Sequence, residues 1–344
     1  MRILVVGEDS PWSSETGYVR EFRRAGCEVL SWNNKKARLL FGCRNWWQMG
    51  SSLKFAYDLL ASTIFLQTAL RWKPDLLFLP KAENIHSRAV KIVKERTGAK
   101  LVIWYPDHPF KADMTSMNVI RNLRRTDIFY IWGRFLLDAI ATAGARRVSY
   151  LPFAFDPETH PMKLQPTRED LSRFACDNCF VGGWDPEREK DLAPLAKWNL
   201  AIWGPGWNSS LSSNSMLRGK VRGGPLYNED MVKCYRSAKI VFNHLRRHNG
   251  SAHNMRAMEI AGIGGGAQLV RRTPELSSEL FQEGQHLLCF ETEAEMDAQI
   301  RTLLMQSETR VQMSHAAKKQ ALRRHLLSHR IDSILADLRS PLSS

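Results

Sequence analysis

The sequence predicts an α/β protein of two domains, each a parallel sheet wound with helices on both faces. Three observations carry this. Strand-sized apolar runs alternate with helix-like segments through the first half, and a proline-bearing stretch, VSYLPFAFDPETHP, breaks the alternation around Tyr150. A second alternating series then starts at NCFVGGW. A chain of 344 residues is long for one domain and comfortable for two.

RILVVG, from Arg2, reads as a first buried strand ending at Gly7, and the polar loop EDSPWSSETG leads into the helix pattern YVREFRRAG. CEVLSW is the second strand. No GxGxxG turn follows the first strand, so no dinucleotide fingerprint is present. After a long helical region come the strand DLLFLP (Asp75 to Pro80), the helix pattern IHSRAVKIVKERTG, and the strands LVIWY (Leu101 to Tyr105) and DIFYIW (Asp127 to Trp132). Between the second strand and DLLFLP, Lys35, Lys36, Arg38, Arg44 and Lys54 interleave with Leu39, Leu40, Phe41, Trp46, Trp47 and Phe55. That composition suits peripheral contact with an anionic membrane. Core aromatics with snorkelling cations are the preferred reading, because Gly42 and Gly50 interrupt any continuous amphipathic helix.

The second series runs through PEREKDLAPLAKW as a helix, LAIWGPGW as a strand and turn, MVKCYRSA as a helix and KIVFN as a strand. Next comes the most legible stretch, SAHNMRAMEIAGIGGGAQLV. A polar basic loop, LRRHNGSAHN, enters a short helix that Gly264, Gly265 and Gly266 stop before a further strand. In a parallel α/β sheet that loop and first helical turn lie at the carboxyl edge, where ligands bind. The free N–H groups of the helix end suit a phosphate. Arg256 and Glu259, three apart, share a helix face, one able to pair with an anion and the other to accept hydrogen bonds from hydroxyls. Farther on, TPELSSELF reads as a helix capped by Thr273 with Pro274 at its first position, and Thr292 with Glu295 has capping-box spacing. From about Glu308 to Leu338 the pattern is one helix.

Composition narrows the function. The longest apolar runs are strand-sized, and MRILVVG is too short for a signal peptide, so the expected location is cytoplasmic, with the inner membrane face as the place of any peripheral contact. Six scattered cysteines do not form a disulfide framework, and the lone CxxC at Cys176 and Cys179 lacks two further zinc ligands nearby, so buried thiols are expected. A formal charge of +14 calls for an anionic partner, but no block of five or six like charges marks a nucleic-acid tail. No nucleic acid is therefore expected.

FVGGWDPERE, AIWGPGW and HNMRAMEIAGIGGGAQLVRRTPELSSELFQEGQHLLCFETEAEM resemble the C-terminal half of the CgeB-like (spore-maturation-protein) glycosyltransferases, over about Asn178 to Met296. WYPDHPF adds a weaker likeness in the first half. The resemblance implies the GT-B fold, two Rossmann-like domains facing each other across a cleft, here 1–155 for the acceptor and 156–344 for a nucleotide sugar, with the last helix able to return to the first domain. It implies that Gly182 and Gly183 let backbone approach a diphosphate, that Arg256 pairs with that diphosphate, that Glu259 binds the ribose hydroxyls, and that Gly264 to Gly266 are the small residues after the helix. Related retaining families carry a further glutamate eight residues before the ribose-binding one. Ser251 stands there, which leaves the stereochemical course open.

Further expectations rest on position. Asp107 and His108 follow the strand LVIWY, at the carboxyl edge of the first sheet, where either serves as general base toward an acceptor hydroxyl or simply forms a turn capped by Asp107. His253 and Asn254 precede the helix and are expected near the donor, as is Gly265 after it. Arg246, Arg247, Arg188 and Lys190 are weaker phosphate candidates, and WGPGW (Trp203 to Trp207) borders the base or packs. The expected activity is sugar transfer from a nucleotide-diphosphate sugar to a glycan, lipid-linked or protein hydroxyl, with no cofactor and no metal, since no DxD-like pair is placed for one. The alternatives are a nucleotide-sugar epimerase on the same fold and a non-catalytic polyanion-binding protein.

Overall fold

The computed structural model describes residues 1–11, 13–34, 51–81 and 83–340. Most of the segment expected to contact a membrane, from Lys35 to Arg44 and on through Trp47, lies outside the described residues. Two compact units divide the chain: Met1–Pro152 with the segment from Leu327 on, and Phe153–Leu326.

The first unit alternates β1 (Arg2–Val6), α1 (Ser14–Arg24), β2 (Glu28–Trp32), α2 (Ser51–Trp72), β3 (Leu76–Pro80), α3 (Ser87–Thr97), β4 (Lys100–Tyr105), α4 (Met117–Leu123), β5 (Ile128–Ile131), α5 (Leu137–Thr142) and β6 (Val148–Tyr150). The strands pair in parallel in the order β2-β1-β3-β4-β5-β6. Every residue of β3 and β5, and all of β4 after Lys100, is buried, as a parallel sheet covered on both faces requires.

The second unit holds α6 (Arg168–Phe174), β7 (Cys176–Val181), α7 (Pro186–Leu192), β8 (Leu200–Trp203), α8 (Trp207–Ser210), β9 (Val221–Gly223), α9 (Asn228–Ser237), β10 (Ala238–Asn243), α10 (Met255–Ile263), β11 (Ala267–Arg271), β12 (Leu288–Phe290), α11 (Glu293–Met305) and α12 (Ser307–Arg324). Its sheet is parallel in the order β12-β11-β10-β7-β8-β9. Alternate side chains leave a strand on opposite faces. Ile240 and Phe242 therefore join Leu195, Trp207, Phe290 and Ile300 in one core, while Val241 joins Trp203, Tyr235, Met258 and Ala317 in the other. Cys176 and Cys179 are buried free thiols; contact with Cys179 and burial push Cys176 above the usual thiol range, while burial pushes Cys179 above it, which suits packing. Two parallel sheets with helices give the two-domain α/β class that the sequence predicts.

Three expected helices are corrected. α7 stops at Leu192, and Ala193–Lys197 continues as a 3-10 turn with Pro194 near its start, because proline cannot donate to the α-ladder. TPELSSELF forms a single π-helical turn, Glu275–Leu280, entered through Pro274, and the Thr273 hydroxyl donates to the Ala252 carbonyl (2.8 Å) instead of capping. The long C-terminal helix is broken at His325 and Leu326, after which α13 (Leu327–Arg339) belongs to the first unit. The Phe155 amide takes the His325 carbonyl (2.7 Å) and so removes it from the helical ladder, while the His325 ring reaches the Leu280 carbonyl (3.0 Å). α13 is held in the first unit by Arg330 Nε donating to the Pro152 carbonyl (2.8 Å) and by Tyr130 donating to Asp337 (2.7 Å).

α11 begins where its sequence predicts, with half of the expected capping box: Thr292 Oγ1 accepts from the Glu295 amide (3.2 Å), but Glu295 Oε2 accepts from the Glu291 amide (2.8 Å), one residue before the cap. Thr292→Ala is expected to cost about 1 kcal/mol, read as a lower urea midpoint at unchanged m-value.

Candidate active site

At the carboxyl edge of the second sheet, β10 ends at Asn243 and the chain re-enters helix at Asn254. Asn254 caps α10: its Oδ1 accepts from the Ala257 amide (3.0 Å), and its Nδ2 donates to Asn243 Oδ1 (2.9 Å) and the His244 carbonyl (3.1 Å). The cap thus ties the helix end to the strand end and fixes where the first-turn amides lie. His253, expected at the ligand, is fully buried. Its Nδ1 donates to Glu275 Oε1 (2.8 Å) and its Nε2 accepts from the Phe153 amide (3.3 Å), so it orders the loop from beneath.

Arg256 and Glu259 do share one face of α10, with Nη1 2.7 Å from Oε2. Glu259 is buried, not a surface residue, and its other oxygen lies 3.8 Å from His160 Nε2. Burial alone would lower the Arg256 pKa, but Glu259 and Tyr235 beside it outweigh burial and raise it, so the cation is secure.

Across from α10, Asp185 caps α7 by accepting from the Arg188 amide (2.9 Å), and Arg246 binds the same carboxylate through Nη2 (2.7 Å) and Nε (3.0 Å). Arg188 Nη1 donates to the Gly183 carbonyl (2.6 Å), while its Nε is buried without a hydrogen-bond partner. Burial, helped by Arg246, pulls Arg188 down to about 10, so it is charged at neutral pH but held against cost. Arg188, Arg246 and Arg256 gather positive charge in a partly buried place, an arrangement that an anion relieves.

The glycine turn is a packing device. A Cβ on Gly182 would lie 2.7 Å from the Phe180 ring, and one on Gly204 would lie 1.9 Å from the Gly182 carbonyl oxygen, which Trp207 Nε1 also binds (2.7 Å). WGPGW therefore locks onto the Gly182–Gly183 turn, and Trp207 is buried. Gly265 lies past the far end of α10, whose nine residues span roughly 13 Å at 1.5 Å per residue. Its donor-binding expectation is corrected there: the strand-entry turn, not the ligand edge, holds it.

Next to α7, His244 Nε2 lies 2.9 Å from Asp191 Oδ2, and burial pushes the imidazole down, so it is neutral at pH 7. Glu187, Asp191 and His244 bring one ligand atom each within 4.8 Å of one another, the nitrogen and oxygen set a divalent ion would use among the described residues. Asp191 and His244 also border a pocket of about 210 Å³ whose walls include Phe242, Arg271 and Glu293.

In the first unit, Asp107 Oδ2 is 2.6 Å from Lys81 Nζ. His108 Nδ1 accepts from the Phe110 amide (3.3 Å), and burial lowers its pKa. Sequence reasoning missed two partners. Lys81, at φ 62° just after β3, reaches Asp107 and, at 3.6 Å, Glu83; burial opposes its charge, but those carboxylates outweigh it and raise its pKa. Burial raises the Glu83 carboxyl, which accepts from Tyr105 (3.2 Å). No local motif announces this group, because the fold brings the ends of β3 and β4 together.

A protein-family profile described as glycosyl transferase-like matches residues 188–336. No curated protein matches the chain significantly in sequence. Among solved structures, Anabaena HepE in complex with UDP-glucose is similar at TM-score 0.65 and 13% identity, covering 98% of this chain and 99% of that one. Sucrose-phosphate synthase from Thermosynechococcus elongatus is similar at TM-score 0.69 and 11% identity, covering 98% of each. An E. coli trehalose-6-phosphate structure bound with UDP-2-fluoro glucose is similar at TM-score 0.66 and 12% identity, covering 98% of this chain and 99% of that one. At such identities the likeness shows the fold, and the expected fold class is borne out. The matched family is coarser than the CgeB-like one.

Proposed function

From a chain that carries a glycosyl transferase-like domain on the GT-B fold, we propose a CgeB-like glycosyltransferase that moves a sugar from a nucleoside-diphosphate donor to a hydroxyl acceptor without a metal. The observation that carries it is the α10 edge: a capped helix end, the Arg256–Glu259 pair, and Arg188 and Arg246 on α7 and its neighbouring loop. Arg256 and Arg188 take the diphosphate, and their charge stabilises it as it departs, the work a metal does elsewhere. Glu259 accepts from the ribose hydroxyls. Asp107, with Lys81 fixing one oxygen, takes the acceptor proton, and His108 is the second candidate base. Similar structures bound to UDP-glucose and UDP-2-fluoro glucose make UDP-hexoses the first donors to test.

The test is a thermal-shift screen of nucleotides and nucleotide sugars in excess chelator. A UDP-sugar at a hundred times its Kd stabilises the folded state by about 2.7 kcal/mol, a rise of several degrees in Tm. Turnover with an acceptor is expected to persist in chelator. Loss of turnover that a divalent ion restores overturns the metal-free reading and points to Glu187, Asp191 and His244. An isomerised sugar released without acceptor identifies the epimerase alternative, and steeply salt-dependent polyanion binding with no nucleotide selectivity identifies the binding protein.

A further inference from the structure

Phe110 and Phe135 are large aromatic side chains left 41% and 39% exposed on the first unit. They flank His108, with ring centroids at 6.3 Å and 6.2 Å from the imidazole. Beneath them Trp132 is buried, meets Phe135 edge-on at 5.9 Å and donates through Nε1 to the Asp107 carbonyl (3.3 Å). The aromatic group is thereby tied to the loop that carries Asp107, and through Lys81 to Glu83. Three rings and a row of mixed charge meet at one edge of one sheet.

We infer that this edge is a carbohydrate platform, on which Phe110 and Phe135 receive the C–H face of a pyranose ring while Asp107, Lys81 and Glu83 bind its hydroxyls. The chemistry selects that class. A purely apolar partner would cover the Asp107–Lys81–Glu83 group and strip its water without replacing the hydrogen bonds. An anion would meet two carboxylates around one ammonium, with Lys111 and Asp113 adding one charge of each sign nearby. A neutral polyhydroxylated ring has an apolar face for the aromatics and hydroxyl donors and acceptors for the charged row. The assignment rests on the glycosyl-transfer reading and narrows its acceptor, among glycan, lipid-linked and protein hydroxyls, to one on a sugar.

Saturation-transfer-difference NMR on the full chain tests it, with methyl hexopyranosides, their N-acetylated counterparts and octyl glucoside as probes, and UDP followed in the same samples. The expected result is saturation of ring C–H protons by at least one methyl glycoside, reduced at least fivefold in Phe110→Ala and Phe135→Ala at unchanged UDP signal. Wherever an alanine variant lowers Tm, the leucine variant, which keeps the bulk without the π face, is read in its place. Saturation confined to the octyl chain, no saturation of any glycoside while UDP binds, or glycoside signals indifferent to both phenylalanines overturns the platform. Glycoside signals that depend on the phenylalanines with no nucleotide binding support the platform and instead overturn the donor reading.

Discussion

Arg256→Ala is expected to weaken UDP-sugar binding by thirtyfold or more, because truncating one partner of a charge pair formed with the diphosphate costs about 2–5 kcal/mol and each 1.4 kcal/mol is tenfold. The guanidinium sits on the first turn of α10, 2.7 Å from Glu259 and beside the amides that Asn254 fixes. Its loss removes the diphosphate partner and also strands Glu259, a buried carboxylate whose other neighbour, His160, is 3.8 Å away. A carboxylate left so is strongly destabilising, by about 3–5 kcal/mol. Calorimetry with UDP must therefore be paired with a melting curve, and Glu259→Gln separates the two effects. That variant keeps the shape and the Arg256 cation while weakening the acceptor for ribose hydroxyls, so it should raise KM with a smaller loss of stability. Wild-type affinity in a folded Arg256→Ala protein would remove this edge from the donor site.

The strands were legible because a parallel sheet buried on both faces writes itself as unbroken apolar runs, as in LLFLP and KLVIWY. Three-residue edge strands such as β9 and β12 carry too few residues to show a period. α10 was legible for local reasons, a short helical pattern between a polar loop and the glycines that stop it, whereas the cap by Asn254 emerged only in the structure. What sequence could not show is who meets whom across long separations. His253 looks like a loop histidine until Glu275, 22 positions on, encloses it. Lys81 and Asp107 are 26 positions apart and lie on different strand ends, yet form a close ion pair. For α13 the resemblance allowed a return to the first domain, but not the contact that holds it, Arg330 on Pro152 across 178 positions.

Gly265→Ala is the second large effect, and it falls on stability. Gly265 has φ +117°, a conformation that L side chains rarely adopt, and a Cβ there would lie 2.6 Å from the Arg236 Cα and 2.7 Å from the Tyr235 carbonyl oxygen. Both obstacles are backbone, at the junction of α9 and β10, and neither can turn aside as a side chain would. Backbone strain of about 1–3 kcal/mol and overpacking of about 1–3 kcal/mol then add, against a total stability of about 5–15 kcal/mol. Gly264→Ala also meets a positive φ of 70°, but its Cβ would touch the flexible Lys318 chain at 3.1 Å, so a smaller loss is expected there. Urea unfolding of the two variants should rank them in that order. The folded fraction of Gly265→Ala should bind UDP like the parent, since the substitution lies at the opposite end of α10 from Asn254 and Arg256. Full stability combined with lost nucleotide binding would return Gly265 to the donor site and displace the packing account.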